Sequence, residues 1–157
     1  MHDGKTLAFR LEWEDGTENA GLEDNTSFPD AAAIALPASE YAQIMVMGQP
    51  GAAVNAWYWR ADEPTAAREI SAEGLGTSEP LPGSTLRANG RWRSGRWSVV
   101  LARSLQGGDA ARAAQLQPGL DTGFGVAIWD GSNQERGGIK AFSGEWQPLS
   151  LEGTGRS

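Results

Sequence analysis

Residues 86–104 read LRANGRWRSGRWSVVLARS, and this stretch has the pattern of a β-hairpin. Leu86 to Trp92 and Trp97 to Ser104 are two strand-like runs, and Ser94-Gly95 lies between them. A short turn that contains glycine favours a hairpin here, because glycine readily adopts the positive φ that tight hairpin turns require. The stretch therefore predicts a fold that contains antiparallel strands.

The same kind of patterning extends along the chain in both directions. Lys5 to Trp13 alternates between apolar and polar residues, which indicates a strand buried on one face. Further strands are predicted at Ala31–Leu36, Gln43–Met47, Ala53–Trp59 and Phe124–Trp129, with one or two more between Ile139 and Leu151. Residues 61–83, rich in Pro and Gly, are predicted to run over the surface with a short helical turn or an edge strand.

Asp109–Gln117 is the best helix candidate, and Pro118-Gly119 ends it. About eight strands punctuated by 21 glycines and 8 prolines favour an all-β fold with one or two short helices. We therefore predict an immunoglobulin-like or DOMON-like β-sandwich, with one domain over residues 1–152 and a disordered tail over 153–157.

Composition excludes several function classes. The 157 residues include no cysteine and one histidine, His2, so most zinc sites, iron–sulfur clusters and covalent haem attachment are excluded. A triad or a cysteine nucleophile is equally hard to build, and we predict no catalytic residues. The net charge of −7 argues against nucleic-acid binding. No apolar run approaches the ~20 residues of a membrane span, and the start shows no signal-peptide pattern.

Two residue types suggest weaker candidates. The many carboxylates show no pair that stands out, and Asp130-Gly-Ser-Asn is more typical of a tight turn than of a calcium loop. Trp57 and Trp59 share one face of a predicted strand, where they either fill the core or grip a sugar. A carbohydrate-binding module on a β-sandwich is therefore the alternative function.

The remaining soft or nitrogen metal ligands are few. Met45 and Met47 lie on one face of a predicted strand, and Lys5 and Lys140 are the two lysines. Taken alone, such methionines usually fill gaps in a core, and a lone lysine at a strand usually extends to solvent.

Five segments together resemble the haem-b-binding gamma subunits of the ethylbenzene dehydrogenase, dimethyl sulfide dehydrogenase and chlorate/selenate reductase group. They are His2–Trp13, Phe28–Pro37, Met47–Asp62, Gly95–Leu105 and Val126–Ser143, in the family's order. The resemblance implies a non-covalent haem b held between Met47 and Lys140. It also implies further cofactor contacts from Met45, Gly48, Trp57, Gly138 and Phe142.

The resemblance further implies a function without a catalytic site. Such subunits pass electrons between molybdenum/iron–sulfur catalytic and electron-transfer subunits and a soluble cytochrome or other redox carrier, in the periplasm. Alternatives stay open at this point: Met45 for Met47, Lys5 as a weaker rival of Lys140, His2 as a ligand, and a domain that kept the fold without the haem.

Overall fold

The structure, a computed structural model, describes residues 1–16, 18, 29–131 and 139–153, with the backbone alone described for 139–141. Within these ranges the regular structure consists of ten β-strands and one 3-10 helix, Ile44–Val46. The strands are β1 (Thr6–Glu14), β2 (Ala31–Pro37), β3 (Val54–Arg60), β4 (Arg68–Ala72), β5 (Glu79–Pro80), β6 (Arg87–Arg93), β7 (Arg96–Ser104), β8 (Asp121–Trp129), β9 (Ile139–Phe142) and β10 (Gln147–Ser150). The predicted tail over 153–157 lies largely outside the described residues.

The hairpin predicted from residues 86–104 is confirmed. Strands β6 and β7 pair in antiparallel register from Arg87↔Ala102 to Arg93↔Arg96. Ser94 and Gly95 form the turn at φ 53° and 78°, the two positive values that match the twist of the flanking strands. Strand β1 then pairs with the other edge of β7, which completes a small sheet in the order β1-β7-β6.

The second sheet is larger and is also antiparallel. Its order is β10-β8-β2-β3-β4-β5, and β9 pairs with the same edge of β8 as β10 does. Strand β2 lies at its centre, with β3 and β8 on either side. Because β2 is hydrogen-bonded to a neighbouring strand on each edge, it is a central strand, and an almost entirely apolar sequence suits that position.

The inner faces of the two sheets enclose the hydrophobic core, so the predicted all-β sandwich is confirmed. Phe9 of β1 contacts Trp57 of β3 at 5.6 Å between ring centroids, and Trp97 of β7 contacts Trp59 at 5.0 Å. Both contacts are edge-to-face, the arrangement that aromatic quadrupoles favour. Trp57, Trp59 and Trp97 are at most 1% exposed.

Two sequence predictions are wrong at the level of elements. Gln43–Met47 is not a strand: Ile44–Val46 forms the 3-10 helix, closed by hydrogen bonds from Met47 N to Ile44 O (3.1 Å) and from Gly48 N to Gln43 O (2.8 Å). A five-residue apolar run carries too little periodicity to distinguish a strand from a helical turn.

Asp109–Gln117 does not form the predicted helix. A single turn closes from Ala113 N to Asp109 O (3.0 Å), and the chain then extends. The next amides bind elsewhere, with Ala114 N donating to Asn55 Oδ1 (3.1 Å) and Leu116 N to Leu105 O (2.9 Å). Tertiary hydrogen bonds therefore replace the helical ones that local propensity favours.

Candidate functional site: an apolar cavity on the large sheet

The outer face of the large sheet is made of very small residues. Alternation along β2 and β8 sends Ile34 and Ile128 into the core and leaves alanine or glycine on the other side. The floor beneath this space consists of residues that are buried or half-buried: Ala33, Ala35, Ala56, Gly125 and Ala127. Because these side chains are so short, space remains above the sheet where larger residues would fill it.

That space is a cavity of about 310 Å³, within the range of small-molecule sites. Ile44 of the 3-10 helix borders it at one end and lies directly over Gly125, where an added Cβ would be 2.3 Å from Ile44 Cδ1. Gly125 is therefore the residue that lets the 3-10 helix approach the sheet. Leu75, 71% exposed, borders the open side of the cavity.

Met47 lines the cavity at the end near Ala72. It has the left-handed backbone (φ 54°) that ends the 3-10 helix, and its carbonyl accepts a hydrogen bond from Gly74 N at 2.9 Å. Gly48 follows at φ 82°, where an added Cβ would lie 2.6 Å from Ala72 O. The backbone on both sides of Met47 is thus fixed against β4 and its following loop.

Tyr58 and Trp129 border the opposite end of the cavity. Their rings meet edge-to-face at 5.7 Å. Burial raises the pKa of the Tyr58 hydroxyl above its ordinary value of 10.0. The hydroxyl therefore remains a hydrogen-bond donor at neutral pH, in a cavity whose other lining residues are nearly all apolar.

The structure separates the two methionines that the sequence placed on one face. Met47 lines the cavity, whereas Met45 is 63% exposed and does not line it. The 3-10 turn causes this difference, because residues two apart in a helical turn point in different directions.

The other predicted contact residues divide as follows. Phe142 lines the cavity and is 47% exposed. Trp57 is fully buried on the opposite face of β3 and does not line the cavity, while Gly48 adjoins Met47 as described. Gly138 lies outside the described residues.

Lys140 is described by its backbone alone. It belongs to β9, whose register shifts between Ile128↔Ala141 and Trp129↔Ile139. Its backbone position therefore lies in a bulge beside Trp129, at the Tyr58–Trp129 end of the cavity floor. Met47 and the Lys140 backbone are thus near opposite ends of strand β2.

Sequence reasoning missed the alanine floor, Ile44, Tyr58 and Leu75. A signal for the floor existed in β2, where the positions that face away from the core are Ala31, Ala33 and Ala35. An outward strand face usually carries polar residues. Alanine at all three positions indicates a face that is neither solvated nor packed.

A group of three carboxylates lies outside the lining of this cavity. Oxygen atoms of Asp15, Asp30 and Asp130 lie within 4.8 Å of one another. Asp30 accepts hydrogen bonds from Trp97 Nε1 and Gly131 N, both at 2.8 Å, so it joins β2 to β7 and to the end of β8. These bonds explain its burial as part of the sandwich.

In the part of the chain that the structure describes, no helix has the length and apolar character needed to cross a membrane.

Comparison with known proteins relates the chain to one family. The family model described as Ethylbenzene dehydrogenase matches residues 79–141. Chlorate reductase subunit gamma of Ideonella dechloratans is 41% identical over 144 residues, covering 91% of this chain and 59% of that protein. A Haloferax mediterranei protein that bears the name of a respiratory nitrate reductase heme subunit is 36% identical over 141 residues, covering 89% and 50% respectively.

The chain thus spans between half and three fifths of the length of these curated relatives. The matches agree with the resemblance carried by its sequence segments and support a relation of the chain to the ethylbenzene dehydrogenase family.

Proposed function

We propose that this chain is a haem b electron-transfer subunit or domain, with the haem in the apolar cavity and Met47 and Lys140 as its axial ligands. The observation that carries the proposal is Met47, whose side chain lines a cavity with a floor of alanine and glycine. The names of two relatives, a chlorate reductase gamma subunit and a nitrate reductase heme subunit, support the same function.

The donor set of the chain fits this cofactor. Met47 is the one methionine, histidine or lysine side chain among the described residues that line the cavity. The rival ligands His2 and Lys5 are not among the residues that line the cavity. His2 forms a β-bridge with Leu7 near the start of β1, and the Lys5 carbonyl accepts a hydrogen bond from Leu105 N. Lys140 is then the remaining nitrogen ligand in the sequence, and its backbone lies at the end of the floor opposite Met47.

Each ligand has a distinct chemical effect. The Met47 thioether is soft and neutral, so it favours ferrous iron and raises the reduction potential. Lys140 must bind as a neutral amine, and because the ordinary pKa of lysine is about 10.4, binding requires loss of a proton. Haem b, when bound, supplies an iron that exchanges single electrons. Because Met47 and Lys140 would both hold the iron, they would leave it no open position for substrate, which is why we assign no catalysis to the chain.

The proposed partners follow from the same function. Electrons pass between molybdenum/iron–sulfur subunits and a soluble cytochrome or other carrier, and we place this exchange in the periplasm. The relatives' names as subunits support partner subunits in general. The alternative of a carbohydrate-binding module is not favoured, because that function needs exposed coplanar tryptophans and all seven tryptophans are buried or half-buried.

Haem titration of the purified chain tests the proposal. We expect one haem per chain, with the sharp reduced α-band of a six-coordinate low-spin haem. Met47→Leu keeps the apolar volume and removes the sulfur ligand, so the band should change to a five-coordinate spectrum and the reduction potential should fall. Lys140→Ala should remove the other axial bond.

Met45→Leu is the matched control, because Met45 is exposed and lies outside the cavity lining. This variant should keep the wild-type spectrum and potential. Failure of the wild-type chain to bind haem stoichiometrically would sink the proposal. Loss of the band in Met45→Leu, with Met47→Leu unaffected, would move the ligand to Met45.

A further inference from the structure

The outer face of the small sheet concentrates positive charge. Alternation along the hairpin sends Trp92 and Trp97 inward and leaves arginines outside. This arginine face, as we define it, carries Arg10 of β1, Arg87, Arg91 and Arg93 of β6, and Arg96 of β7. All five are exposed, whereas the whole chain has a net charge of −7.

Among the described residues, four of the five arginines of this face make no ion pair. Arg10 pairs with Glu12 at 2.7 Å, and Glu14 lies opposite Arg96 across β1 and β7. In the described ranges, Arg87, Arg91, Arg93 and Arg96 make no ion pair within 4.0 Å. Elsewhere the described arginines do pair, as Arg68 does with Glu63 and Arg112 with Glu79.

Two of these arginines repel each other. Arg93 and Arg96 lie directly opposite across the hairpin, on the same outer face. Like charges at opposed positions destabilise a strand pair by a few tenths of a kcal/mol to about 1 kcal/mol. In the isolated chain this repulsion between Arg93 and Arg96 lowers stability. An anionic surface placed against the hairpin would offset the repulsion.

The centre of the face is weakly apolar. Between the arginines, the middle strand presents Val100 and Ala102, and Ala8 adjoins them on β1. All three are half-buried. A small apolar centre with arginines around it has the composition of a protein interface, because arginine is enriched there and lysine is depleted. No aromatic ring lies on this face for stacking on nucleic-acid bases, as Trp92 points inward.

We propose that the arginine face docks the chain onto a carboxylate-rich surface of a partner polypeptide. The face lies on the opposite side of the sandwich from the cavity. Docking there therefore leaves the mouth of the cavity open to another molecule. The inference does not depend on haem, because every residue that carries it belongs to the small sheet.

The test measures binding of a fluorescent oligoglutamate peptide to the purified chain without cofactor. Wild type should bind, and the affinity should fall steeply as the ionic strength rises from about 0.02 M to about 0.2 M. The double variant Arg91→Gln/Arg93→Gln should weaken binding about tenfold. Arg87→Gln/Arg96→Gln is a second double variant on the same face, and it should weaken peptide binding to a similar extent.

The double variant Arg68→Gln/Arg112→Gln is the control, since it removes the same charge from two arginines that already pair elsewhere. It should retain wild-type affinity. An equal loss in this control would show that only net charge matters and would overturn the proposal. Tighter binding to phosphatidylglycerol vesicles or to a DNA duplex than to the peptide would likewise overturn it.

Discussion

At Gly48, beside Met47, two properties of the backbone each require glycine. Its φ of 82° lies in the left-handed region that glycine occupies without strain. An added Cβ would also lie 2.6 Å from Ala72 O and 2.7 Å from Ala52 O. Both neighbours are backbone atoms, so they cannot rotate away.

We predict that Gly48→Ala lowers the free energy of unfolding by about 2–4 kcal/mol, from backbone strain and the forced shift of β4 together. Gly51→Ala is the matched control, because Gly51 also has a positive φ (78°) but has nothing within 4 Å of the added Cβ. Gly51→Ala should lower the free energy of unfolding by only about 1 kcal/mol. Urea denaturation measures both values, and equal losses would show that the close approach at Gly48 is unimportant.

The sequence could predict some of the site at this scale. Scarcity of other ligands and the family resemblance both pointed to Met47 and Lys140, and the structure places Met47 in the cavity lining. The sequence left Met45 open because a two-residue spacing on a strand shares one face. Only the 3-10 turn, which depends on Gly125 and Gly48, separates the two side chains.

Arg103 connects elements that are distant in sequence. It is 1% exposed, and its guanidinium donates to Glu69 of β4 at 2.6 Å and to Asn55 of β3 at 2.9 Å. The same group lies 4.9 Å from the ring centroid of Trp57 and donates to the carbonyls of Leu105 and Ala114. One buried cation therefore holds both sheets and the segment after β7 together.

We predict that Arg103→Met lowers the free energy of unfolding by about 3–5 kcal/mol, because it leaves the Glu69 carboxylate buried without its counter-charge. Adding Glu69→Gln to the variant should restore part of this loss, since the unpaired charge is then gone. A double-mutant cycle by urea denaturation measures the coupling. Strictly additive losses would contradict the role of the ion pair.

This network also explains which elements the sequence could not predict. The Asn55 side-chain oxygen accepts a hydrogen bond from the Ala114 backbone N–H. The segment Asp109–Gln117, predicted as a helix, therefore extends along the sandwich instead. Nothing local to Asp109–Gln117 encodes a partner 59 residues away. In contrast, β1, β6 and β7 were predictable, because their alternation and the Ser94-Gly95 turn are local properties of the chain.

At the scale of the whole molecule, the large sheet has two apolar faces with separate roles. The inner face packs Trp57 and Trp59 against the small sheet, and the outer face forms the cavity floor. The main hydrophobic core therefore lies on the other side of the large sheet from the cavity floor, and a small cluster of Ala42, Ala52 and Val54 packs against the cavity-lining residues Met47 and Ala35. It follows that folding should not require whatever occupies the cavity.

We predict that the chain without haem unfolds in one cooperative transition and that haem raises its Tm. At a free haem concentration about 100 times Kd, the added stability is about 2.7 kcal/mol. Thermal unfolding by circular dichroism measures both quantities. A haem-free chain that lacks near-UV signal and a cooperative transition would contradict the separation of core and cavity.

The overall architecture was predictable because periodicity and turn residues are repeated along the chain. The cavity was not, since it depends on the way in which β2, β3, β4 and β8 are ordered in the sheet. The same holds for the arginine face, which brings Arg10 beside residues that lie more than 75 positions later. Strand order follows from long-range pairing, and a single sequence encodes that pairing only indirectly.

The cavity exists because the side chains of its floor are short, and this has a consequence for the history of such proteins. A single change to leucine at Ala35 or Ala56 would place a larger apolar side chain inside the cavity, while the tryptophan core on the other side of the sheet stays intact. The site can thus be lost by a gain of volume even when Met47 is retained. A lineage can discard the site in one mutational step and still inherit a stable sandwich.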